Sequence, residues 1–221
     1  MTPVRHLAVI PDGNRRWAKK RGLSVREGHA AGIENVGRLA AAAWADGVET
    51  TTFWWGSPAN LQFRSAEEVR GIVEVLADWL SGPARPLLAG RRLHVLGRWR
   101  TLCLALIPAV SAAQAAAGDG PEALVLLMGY DGRDEIRDAA ARVGGGADEA
   151  DFTRALWTGE LPPVDLVLRT GGEAHLSAGF LLWQIAEARL AFTPTLWPAL
   201  TPSALRRHLA AARATPRRYG R

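Results

Sequence analysis

Apolar residues along the chain fall into short unbroken runs that alternate with longer stretches, in which they recur every three or four positions. The short runs predict strands, and the longer stretches predict amphipathic helices. The predicted strands are His6–Ile10, Val48–Trp55, Arg92–Leu96, Ala123–Met128, Val164–Leu168 and Arg189–Phe192. The predicted helices are Ala30–Ala45, Ala66–Leu80, Thr101–Ala117, Arg133–Val143 and Ser203–Arg213.

Alternation of apolar strands with helices is typical of a parallel sheet that helices cover on both faces. We therefore expect a single α/β domain over residues 1–221. Ligands of such sheets bind at the carboxyl ends of the strands. The segments that begin at Pro11, Gly56, Gly129 and Arg169 each follow a predicted strand and carry polar residues or glycine. The pattern predicts that these segments share one cleft.

Composition narrows the class of protein. With 221 residues, 48% of them hydrophobic, the chain can bury one sizeable core. No apolar run approaches the roughly 20 residues that span a bilayer, and Met1–Arg5 lacks the apolar core of a signal peptide. Cys103 is the one cysteine, which excludes an intrachain disulfide and a cysteine-cluster metal site. We expect a cytoplasmic protein without a transmembrane segment.

The net charge of +5 at pH 7 comes mainly from arginine. Such a balance fits either nucleic acid or a small anionic substrate such as a phosphate ester. No recognition-helix, zinc-finger or RNP pattern is present, and the arginines are spread along the chain. We therefore expect a phosphorylated small molecule and no nucleic acid.

The segment HLAVIPDGNRRWAKKRG carries the clearest chemical signal. After the first strand, Asp12 and Gly13 predict a tight turn, and Asn14, Arg15 and Arg16 open a helix. A helix start with two arginines can hold a diphosphate through N–H groups and guanidinium forks. Asp12 beside it suits Mg²⁺, which binds one or two carboxylates together with substrate phosphates. An ordinary Asp-Gly turn with surface arginines is the alternative.

Four strings in this sequence resemble motifs of one enzyme family. DGNRRWAKKRGL with GHAAG resembles the opening motif of the cis-prenyltransferase (undecaprenyl diphosphate synthase) family. A later family motif is resembled by VDLVLRTGGE together with LS, FLLWQIAEA and FTPTLWP. The string MGYDGRDEI resembles the family's tyrosine-glycine turn, and RRYGR resembles the tail that reaches a neighbouring subunit. The matches run in the family's order from His6 to Gly220, so the chain is identified as a member.

The resemblance implies a fold, an assembly and a reaction. The implied fold is a six-stranded, mainly parallel sheet surrounded by helices, and the implied assembly is a homodimer. An allylic isoprenoid diphosphate loses its diphosphate with the help of Mg²⁺, and the double bond of a second isoprenoid diphosphate attacks the resulting cation. Cations and hydrogen-bond donors suit the leaving group, and a dry apolar or aromatic pocket suits the allylic cation.

The resemblance also assigns roles to individual residues. Asp12 is implied to be the catalytic acid and magnesium ligand. Ser57 and Asn60 fall in the family's Ser-x-Glu-Asn motif, which implies a substrate-binding role for Ser57 and a catalytic role for Asn60. The residues implied around the allylic substrate are Gly13, Asn14, Arg15, Arg16, Trp17 and His29. Those implied to hold the second diphosphate are Arg169, Ser177 and Arg218. For His29, a histidine that caps a helix is the alternative.

Several positions depart from the family pattern. Ala59 stands where the family has glutamate, His175 where it has arginine, and Arg189 where it has an acidic residue that helps to bind magnesium. One extra residue lies between Ser177 and Phe180. These changes predict a rebuilt site for the second substrate, with Arg189 itself binding diphosphate. Misalignment of this stretch is the alternative for Arg189. Ala-Asn in place of Glu-Asn also resembles irregular members that couple dimethylallyl units head-to-middle.

Product length is predicted from Trp55, which stands where long-chain members have a small residue at the floor of the product tunnel. An indole there would fill the space that a growing chain needs. Alternate strand residues face opposite sides, so Trp55 could instead point into the core. Because Trp54 is adjacent, one of the two indoles should face the cleft in either register. We expect a product of ten or fifteen carbons.

These observations lead to one expected reaction and three alternatives. We expect dimethylallyl or geranyl diphosphate to condense with a second five-carbon diphosphate. This second substrate is expected to be dimethylallyl diphosphate, which reacts in a head-to-middle coupling. His175 or the released diphosphate would take the final proton. The alternatives are regular cis elongation with isopentenyl diphosphate that stops early, a non-catalytic partner subunit, and a terpene cyclase.

Overall fold

The structure, a computed structural model, describes residues 2–215. Six strands form one sheet in the order β3-β4-β2-β1-β5-β6, and every neighbouring pair is parallel. The strands are β1 (His6–Ile10), β2 (Thr50–Trp54), β3 (Arg92–Leu96), β4 (Ala123–Leu127), β5 (Leu166–Arg169) and β6 (Arg189–Phe192). The expected α/β sheet is confirmed, and it is fully parallel over the described residues.

Ten α-helices connect and cover the strands in the described part of the chain. They are α1 (Asn14–Lys19), α2 (Val25–Ala45), α3 (Pro58–Phe63), α4 (Ala66–Ser81), α5 (Ala84–Leu88), α6 (Trp99–Leu102), α7 (Ile107–Ala116), α8 (Gly132–Arg142), α9 (Glu149–Ala155) and α10 (Pro202–Ala214). Short 3₁₀ turns lie at Leu104–Leu106 and Trp197–Ala199. None of the described helices is long and apolar enough to cross a membrane.

Two expected helices differ from the observed ones for local reasons. Helix α2 begins at Val25 rather than Ala30, because Ser24 and Glu27 form a capping box that satisfies its first amide groups. The single helix expected over Thr101–Ala117 is wrong: Cys103 has a non-helical backbone, and the chain passes through a 3₁₀ turn before α7. Pro108 lies in the first turn of α7, where its missing amide hydrogen costs nothing.

Each face of the sheet buries its own core. The larger cluster packs α2, α4, α7 and α10 against one face and includes Phe53, Leu76 and Trp197. The smaller cluster covers the other face around Tyr130 and Phe180. Strands β1, β4 and β5 are buried along their whole length, which explains why they read as unbroken apolar runs.

The carboxyl ends of the central strands open into one cleft of about 900 Å³. Its lining comes from the segments after β1 and β2, from α1 and the start of α2, from α3 and its end, and from Arg169 and Ser177. Three of the four expected segments, those beginning at Pro11, Gly56 and Arg169, therefore meet there. The segment at Gly129 instead supports the cleft from behind, since Tyr130 N donates to Gly56 O at 3.1 Å.

Candidate active site

Asp12 lines the cleft, and two arginines contact its carboxylate. Oδ1 forms an ion pair with Arg16, with Nη2 at 3.1 Å, and Oδ2 accepts a hydrogen bond from Arg169 Nη2 at 3.1 Å. The backbone is fixed as well, because Asp12 O accepts from Trp197 N at 3.0 Å and from Thr170 Oγ1 at 2.7 Å. Asp12, the residue that the sequence predicted as the catalytic acid, is therefore held in a defined position in the cleft.

Two glycines make this close packing possible. Gly13 has φ +113° at the start of α1, and a Cβ there would lie 2.9 Å from Leu196 Cδ2. Gly171 has φ +89°, and a Cβ there would lie 2.5 Å from Arg16 Nη2. The Arg16 guanidinium also donates to Gly171 O at 2.7 Å. Only glycine adopts these backbone angles readily and leaves room for the guanidinium.

One side of the cleft, called here the first wall, consists of residues 11–16 together with His29 and Arg64. Glu68 lies behind it: the distances from Glu68 oxygens are 3.9 Å to Arg15 Nη1, 3.4 Å to His29 Nε2 and 3.5 Å to Arg64 Nε. His29 is 4% exposed. Burial, and next the charge of Arg64, lower the pKa of His29 to about 4. Burial also lowers the pKa of Arg64.

Arg64 was not among the residues that the sequence predicted. It follows α3 and precedes the Ser65 cap of α4, and it lines the cleft beside Asn60. The signal available in the sequence is an arginine directly before a helix-capping serine, which is too common to single out. Trp17, in contrast, was predicted to lie near the allylic substrate but is not among the lining residues of the described chain. The guanidinium group of Arg21 stacks on its ring at 4.4 Å.

Ser57 and Asn60 form the cap of helix α3. Ser57 Oγ accepts from Asn60 N at 3.1 Å, and Asn60 Oδ1 accepts from Ser57 N at 3.1 Å. Asn60 lines the cleft, and its side-chain oxygen is engaged in the cap, so its amide NH₂ is the group that can meet a ligand. Ala59 between them is exposed and brings no carboxylate.

The other side of the cleft, called here the second wall, consists of residues 169–177. Arg169 is 5% exposed and joins the two walls: Nη2 contacts Asp12, while Nη1 donates to His175 O at 2.7 Å and to Ser177 Oγ at 2.9 Å. Ser177 lines the cleft. A buried guanidinium and a hydroxyl at this position can bind a second anionic group.

Comparison with known proteins decides the family. The model of the family described as putative undecaprenyl diphosphate synthase matches residues 10–220. The chain belongs to this cis-prenyltransferase family. "Isoprenyl transferase 1" of Bradyrhizobium diazoefficiens is 39% identical over 97% of this chain and 89% of that protein. A Pseudomonas aeruginosa protein, the "ditrans,polycis-undecaprenyl-diphosphate synthase ((2E,6E)-farnesyl-diphosphate specific)", is 38% identical over 98% of this chain and 90% of that protein.

A solved cis-prenyltransferase structure has the same fold. It is the crystal structure of lavandulyl diphosphate synthase from Lavandula x intermedia in complex with dimethylallyl diphosphate, with a TM-score of 0.92 and 32% sequence identity. The similarity covers 99% of this chain and 98% of that one. This chain is accordingly a prenyltransferase of isoprenoid biosynthesis, and the family identified from its motifs is confirmed.

Not every residue expected in this cis-prenyltransferase site reaches the cleft. Arg189 opens β6 and pairs with Leu166, so it lies at the amino end of a parallel strand, whereas the cleft lies at the carboxyl ends. Its Nη2 donates to Thr215 O instead. The expectation that Arg189 joins the second diphosphate site is therefore not met within one chain. Arg218 lies outside the described residues.

His175 belongs to the second wall, but its side chain is not among those that line the cleft in the described chain. Its side chain is 59% exposed, with Nδ1 3.6 Å from Glu173 Oε2 and Nε2 3.5 Å from Ser177 Oγ. The extra residue noted in the sequence produces a turn in the left-handed region, with φ +48° at Ala178 and +58° at Gly179. Ala178 O accepts from Gly132 N at 3.1 Å, which docks this turn on the start of α8.

Trp54 and Trp55 both line the cleft but belong to different cores. Trp54 packs with the smaller core, edge-on to Phe180 at 6.3 Å, and its indole N–H donates to Tyr130 O at 3.1 Å. Trp55 is 8% exposed and belongs to the larger core with Ile72 and Leu76. Beyond Trp55, no described residue of β3, β4 or α4 lines the cleft. The expectation that one indole faces the cleft is thus exceeded.

The residues present can hold one magnesium ion if a diphosphate supplies further ligands. Among the described lining residues, Asp12 is the one acidic side chain, and residues 2–215 contain no cluster of three or more His, Cys, Asp or Glu that could hold a metal alone. Each Asp12 oxygen contacts one guanidinium group, and because a carboxylate offers about four lone-pair sites, sites remain for a metal ion. Mg²⁺ is commonly bound in this way, by one carboxylate with substrate phosphates and water.

Proposed function

We propose that this enzyme condenses dimethylallyl or geranyl diphosphate with a second five-carbon diphosphate to a prenyl diphosphate of ten to fifteen carbons. The observation that supports the short product is Trp55. Its indole lines the cleft and also belongs to the larger buried core, which α4 and the sheet share. A longer chain would have to displace packed core residues, which is costly.

We propose dimethylallyl diphosphate as the second substrate, in a head-to-middle coupling. Two observations support it. The solved lavandulyl diphosphate synthase matches this fold over nearly its whole length and holds dimethylallyl diphosphate. In addition, Ala59 removes the carboxylate that the family motif carries beside Asn60, so the region around the second substrate differs from that of regular elongating members.

In the proposed reaction, the allylic diphosphate lies against the first wall. Arg15, Arg16 and Arg64 stabilise the charge that develops on the leaving oxygen as the C1–O bond breaks. The electron pair stays with the diphosphate, and an allylic cation remains. Trp54 and Trp55 exclude water from this cation and offer the negative faces of their rings.

The second substrate would bind through its diphosphate to Arg169 and Ser177. The middle carbon of its double bond forms the new bond to C1 of the cation, which leaves a tertiary cation on the neighbouring carbon. Loss of one proton from an adjacent methyl group restores a double bond. Because the His175 side chain is more than half exposed and does not line the cleft, the departing diphosphate is a better acceptor for this proton than His175.

We also propose that Mg²⁺ binds at Asp12 and that the enzyme works as a homodimer. When bound, Mg²⁺ would neutralise charge on the diphosphate and help it to leave. Asp12, held by Arg16 and Arg169, would present one carboxylate oxygen to the ion. The dimer is proposed because the tail motif with Arg218 resembles a segment that reaches a neighbouring subunit in the family. A cytoplasmic location is part of the same proposal.

Regular elongation with isopentenyl diphosphate is the second candidate. The names of the curated relatives favour it, since the Pseudomonas aeruginosa protein is an undecaprenyl diphosphate synthase at 38% identity. In that version Trp55 would stop elongation early. A silent partner subunit is disfavoured by the complete first wall, in which Asp12, Asn14, Arg16 and His29 all line the cleft.

A product assay on the purified protein with Mg²⁺ separates these candidates. Dimethylallyl or geranyl diphosphate is supplied with and without isopentenyl diphosphate, and products are identified after dephosphorylation. A branched product formed without isopentenyl diphosphate is the expected result. Linear products formed only in the presence of isopentenyl diphosphate would overturn the head-to-middle proposal. Linear products beyond fifteen carbons would overturn the proposal for Trp55 as well.

A further inference from the structure

Tyr130 is buried behind the cleft, and its backbone holds two groups that line it. It lies in the segment between β4 and α8 and is 0% exposed. Its amide N donates to Gly56 O at 3.1 Å, and its carbonyl O accepts from the indole N–H of Trp54 at 3.1 Å. Gly56 and Trp54 both line the cleft, whereas Tyr130 is not among the lining residues of the described chain. The backbone of Tyr130 therefore supports the aromatic side of the cleft.

The side chain of Tyr130 has contacts of its own, and the first is with the carboxylate of Glu135. Glu135 belongs to α8 and is 1% exposed. Its Oε2 accepts from the Tyr130 hydroxyl, and its Oε1 accepts from Thr158 N at 2.8 Å and from Thr158 Oγ1 at 2.7 Å. Burial, and next the charge of Glu135, raise the pKa of Tyr130 above its ordinary value. The phenol therefore keeps its hydrogen and is held in one orientation.

The second contact of the Tyr130 hydroxyl is with the backbone of Leu181. Whereas burial and Glu135 raise the pKa of Tyr130, this hydrogen bond lowers it. A bond that favours the phenolate is one that the phenol oxygen accepts, so the donor is the amide of Leu181. The ring also packs with Leu181 and Phe180 in the smaller core. The hydroxyl thus links α8 to the chain that follows Ser177.

Residues 177–182 form a turn with an unfavourable backbone. The φ angle is +48° at both Ala178 and Leu181, in the left-handed region that residues other than glycine rarely adopt. Two contacts from the segment after β4 hold this turn: Gly132 N donates to Ala178 O at 3.1 Å, and the Tyr130 hydroxyl meets the backbone of Leu181. Because strained backbone persists only where its surroundings fix it, these contacts determine the shape of the turn.

Ser177 is the residue of this turn that lines the cleft. Its carbonyl oxygen accepts from Phe180 N at 2.9 Å within the turn, and its hydroxyl accepts from Arg169 Nη1 at 2.9 Å in the second wall. The position of Ser177 therefore depends on the backbone of the turn as well as on Arg169. The same turn contains the extra residue that departs from the family pattern.

We propose that Tyr130 is a positioning residue for the second substrate: its hydroxyl, fixed by Glu135, holds residues 177–182 in the form that presents Ser177 to the second diphosphate. Its backbone serves the aromatic side of the cleft at Trp54. The side chain and the backbone of one residue thus support different substrates, and removal of the hydroxyl separates the two roles. This inference rests on the proposed binding of the second diphosphate to Ser177 and is independent of which five-carbon diphosphate binds there.

Tyr130→Phe tests the proposal, because it removes the hydroxyl and leaves the ring and the backbone. Kinetics are measured with geranyl diphosphate as the allylic substrate and dimethylallyl or isopentenyl diphosphate as the second, one varied at a time. KM for the second substrate should rise about 3- to 10-fold. KM for geranyl diphosphate and kcat should change by less than about twofold, since Trp54 and Gly56 keep their contacts with the backbone. Equal rises in both KM values would overturn the proposal.

Two variants of helix α8 separate the role of the buried pair from a general charge effect. Glu135→Gln should act in the same direction as Tyr130→Phe, because the phenol loses the carboxylate that orients it. Asp134→Asn is the matched control: Asp134 is the neighbouring residue, and it pairs with Arg98 and Arg137 instead. An equal rise in KM for the second substrate in both variants would overturn the role of Glu135.

A rescue variant tests whether the hydroxyl acts through the strained turn. Glycine adopts left-handed backbone angles without the penalty that a side chain brings. Ala178→Gly, added to Tyr130→Phe, should therefore recover most of the lost affinity for the second substrate. A merely destabilised core would not be repaired by this change. If KM for the second substrate stays as high as in Tyr130→Phe alone, the proposed link between Tyr130 and Ser177 is wrong.

Hydrogen exchange of the whole protein, followed by mass spectrometry without substrate, distinguishes the two possible failures. Peptides that cover residues 177–182 should exchange faster in Tyr130→Phe than in the wild-type protein, and peptides of α10 should not. Unchanged exchange in this turn would refute the inference while the proposed function stands. If the wild-type protein forms no prenyl product from any pair of these substrates, the proposed function is wrong, and the role of Tyr130 for the second substrate falls with it.

Discussion

The two walls of the cleft are held in place in different ways. The first wall is carried by helices: α1 and α2 pack together, and Glu68 on α4 contacts Arg15, His29 and Arg64. The second wall is carried by loops with left-handed backbone at Gly171 and Gly172, and its side chains depend on one residue, Arg169. A motif match therefore predicts positions well in the first wall and less well in the second.

The difference also separates two kinds of chemistry. In the first wall several cations act together, so no single arginine carries the whole charge of a diphosphate. In the second wall Arg169 alone joins Asp12 to Ser177. We expect substitutions to be graded accordingly, with Asp12 first because it contacts arginines of both walls.

Asp12→Asn should have the largest effect, because it removes the carboxylate that would hold Mg²⁺ and leaves Arg16 and Arg169 without their counter-charge. We expect kcat/KM to fall on the order of 10²- to 10³-fold. The matched control is Asp46→Asn, since Asp46 also pairs with an arginine, Arg213, but lies outside the cleft lining of the described chain. Equal losses in the two variants would contradict a special role for Asp12.

Arg169→Lys should come second. A lysine keeps the charge but cannot contact Asp12, His175 O and Ser177 Oγ at once. Loss of charged hydrogen bonds of this kind should raise KM for the second substrate by about 10- to 100-fold, with a smaller change for the allylic substrate. Steady-state kinetics with one substrate varied at a time measure this difference. Equal changes in KM for both substrates would contradict the assignment of the two substrates to separate walls.

Much of the fold follows from periodicity in the sequence. Buried strands such as Ala123–Leu127 and the long amphipathic helix Ala66–Ser81 carry unmistakable patterns. Short helices such as α5 and α9 have too few residues for a period to emerge. The order of the strands depends on contacts between residues far apart in sequence, and no pattern along the chain predicts it.

The site was predictable where the residues that act together are also close together in the sequence. Asp12 lies just before the start of α1 and Arg16 lies in its first turn, so their contact follows from local geometry. Glu68 escaped prediction because its partners Arg15 and His29 lie on separate helices, and only the tertiary fold joins them. Arg189 was misplaced because alignment with a motif does not tell which end of a strand a residue occupies.

Substitution of Trp55 tests whether the end of the cleft limits the product. Trp55→Leu should lengthen the product by opening space in the larger core, which also contains Ile72 and Leu76. Trp54→Leu is the control, because Trp54 packs on the other face of the sheet. Thermal unfolding checks that both variants fold, since loss of core volume costs stability. Unchanged product length in Trp55→Leu would refute the limit proposed for Trp55.

His175→Ala should have the smallest effect and completes the comparison of the walls. The side chain is 59% exposed, and its nearest contact in the cleft, Ser177 Oγ, lies at 3.5 Å. If the departing diphosphate takes the final proton, kcat should change by less than about threefold and the product should stay the same; a general base would cost about 10²-fold or more. Glu173→Gln, which removes the other contact of the imidazole, is the matched control. A large loss confined to His175→Ala, with a new ratio of double-bond isomers, would assign the proton to His175 and make the second wall catalytic rather than a binding surface alone.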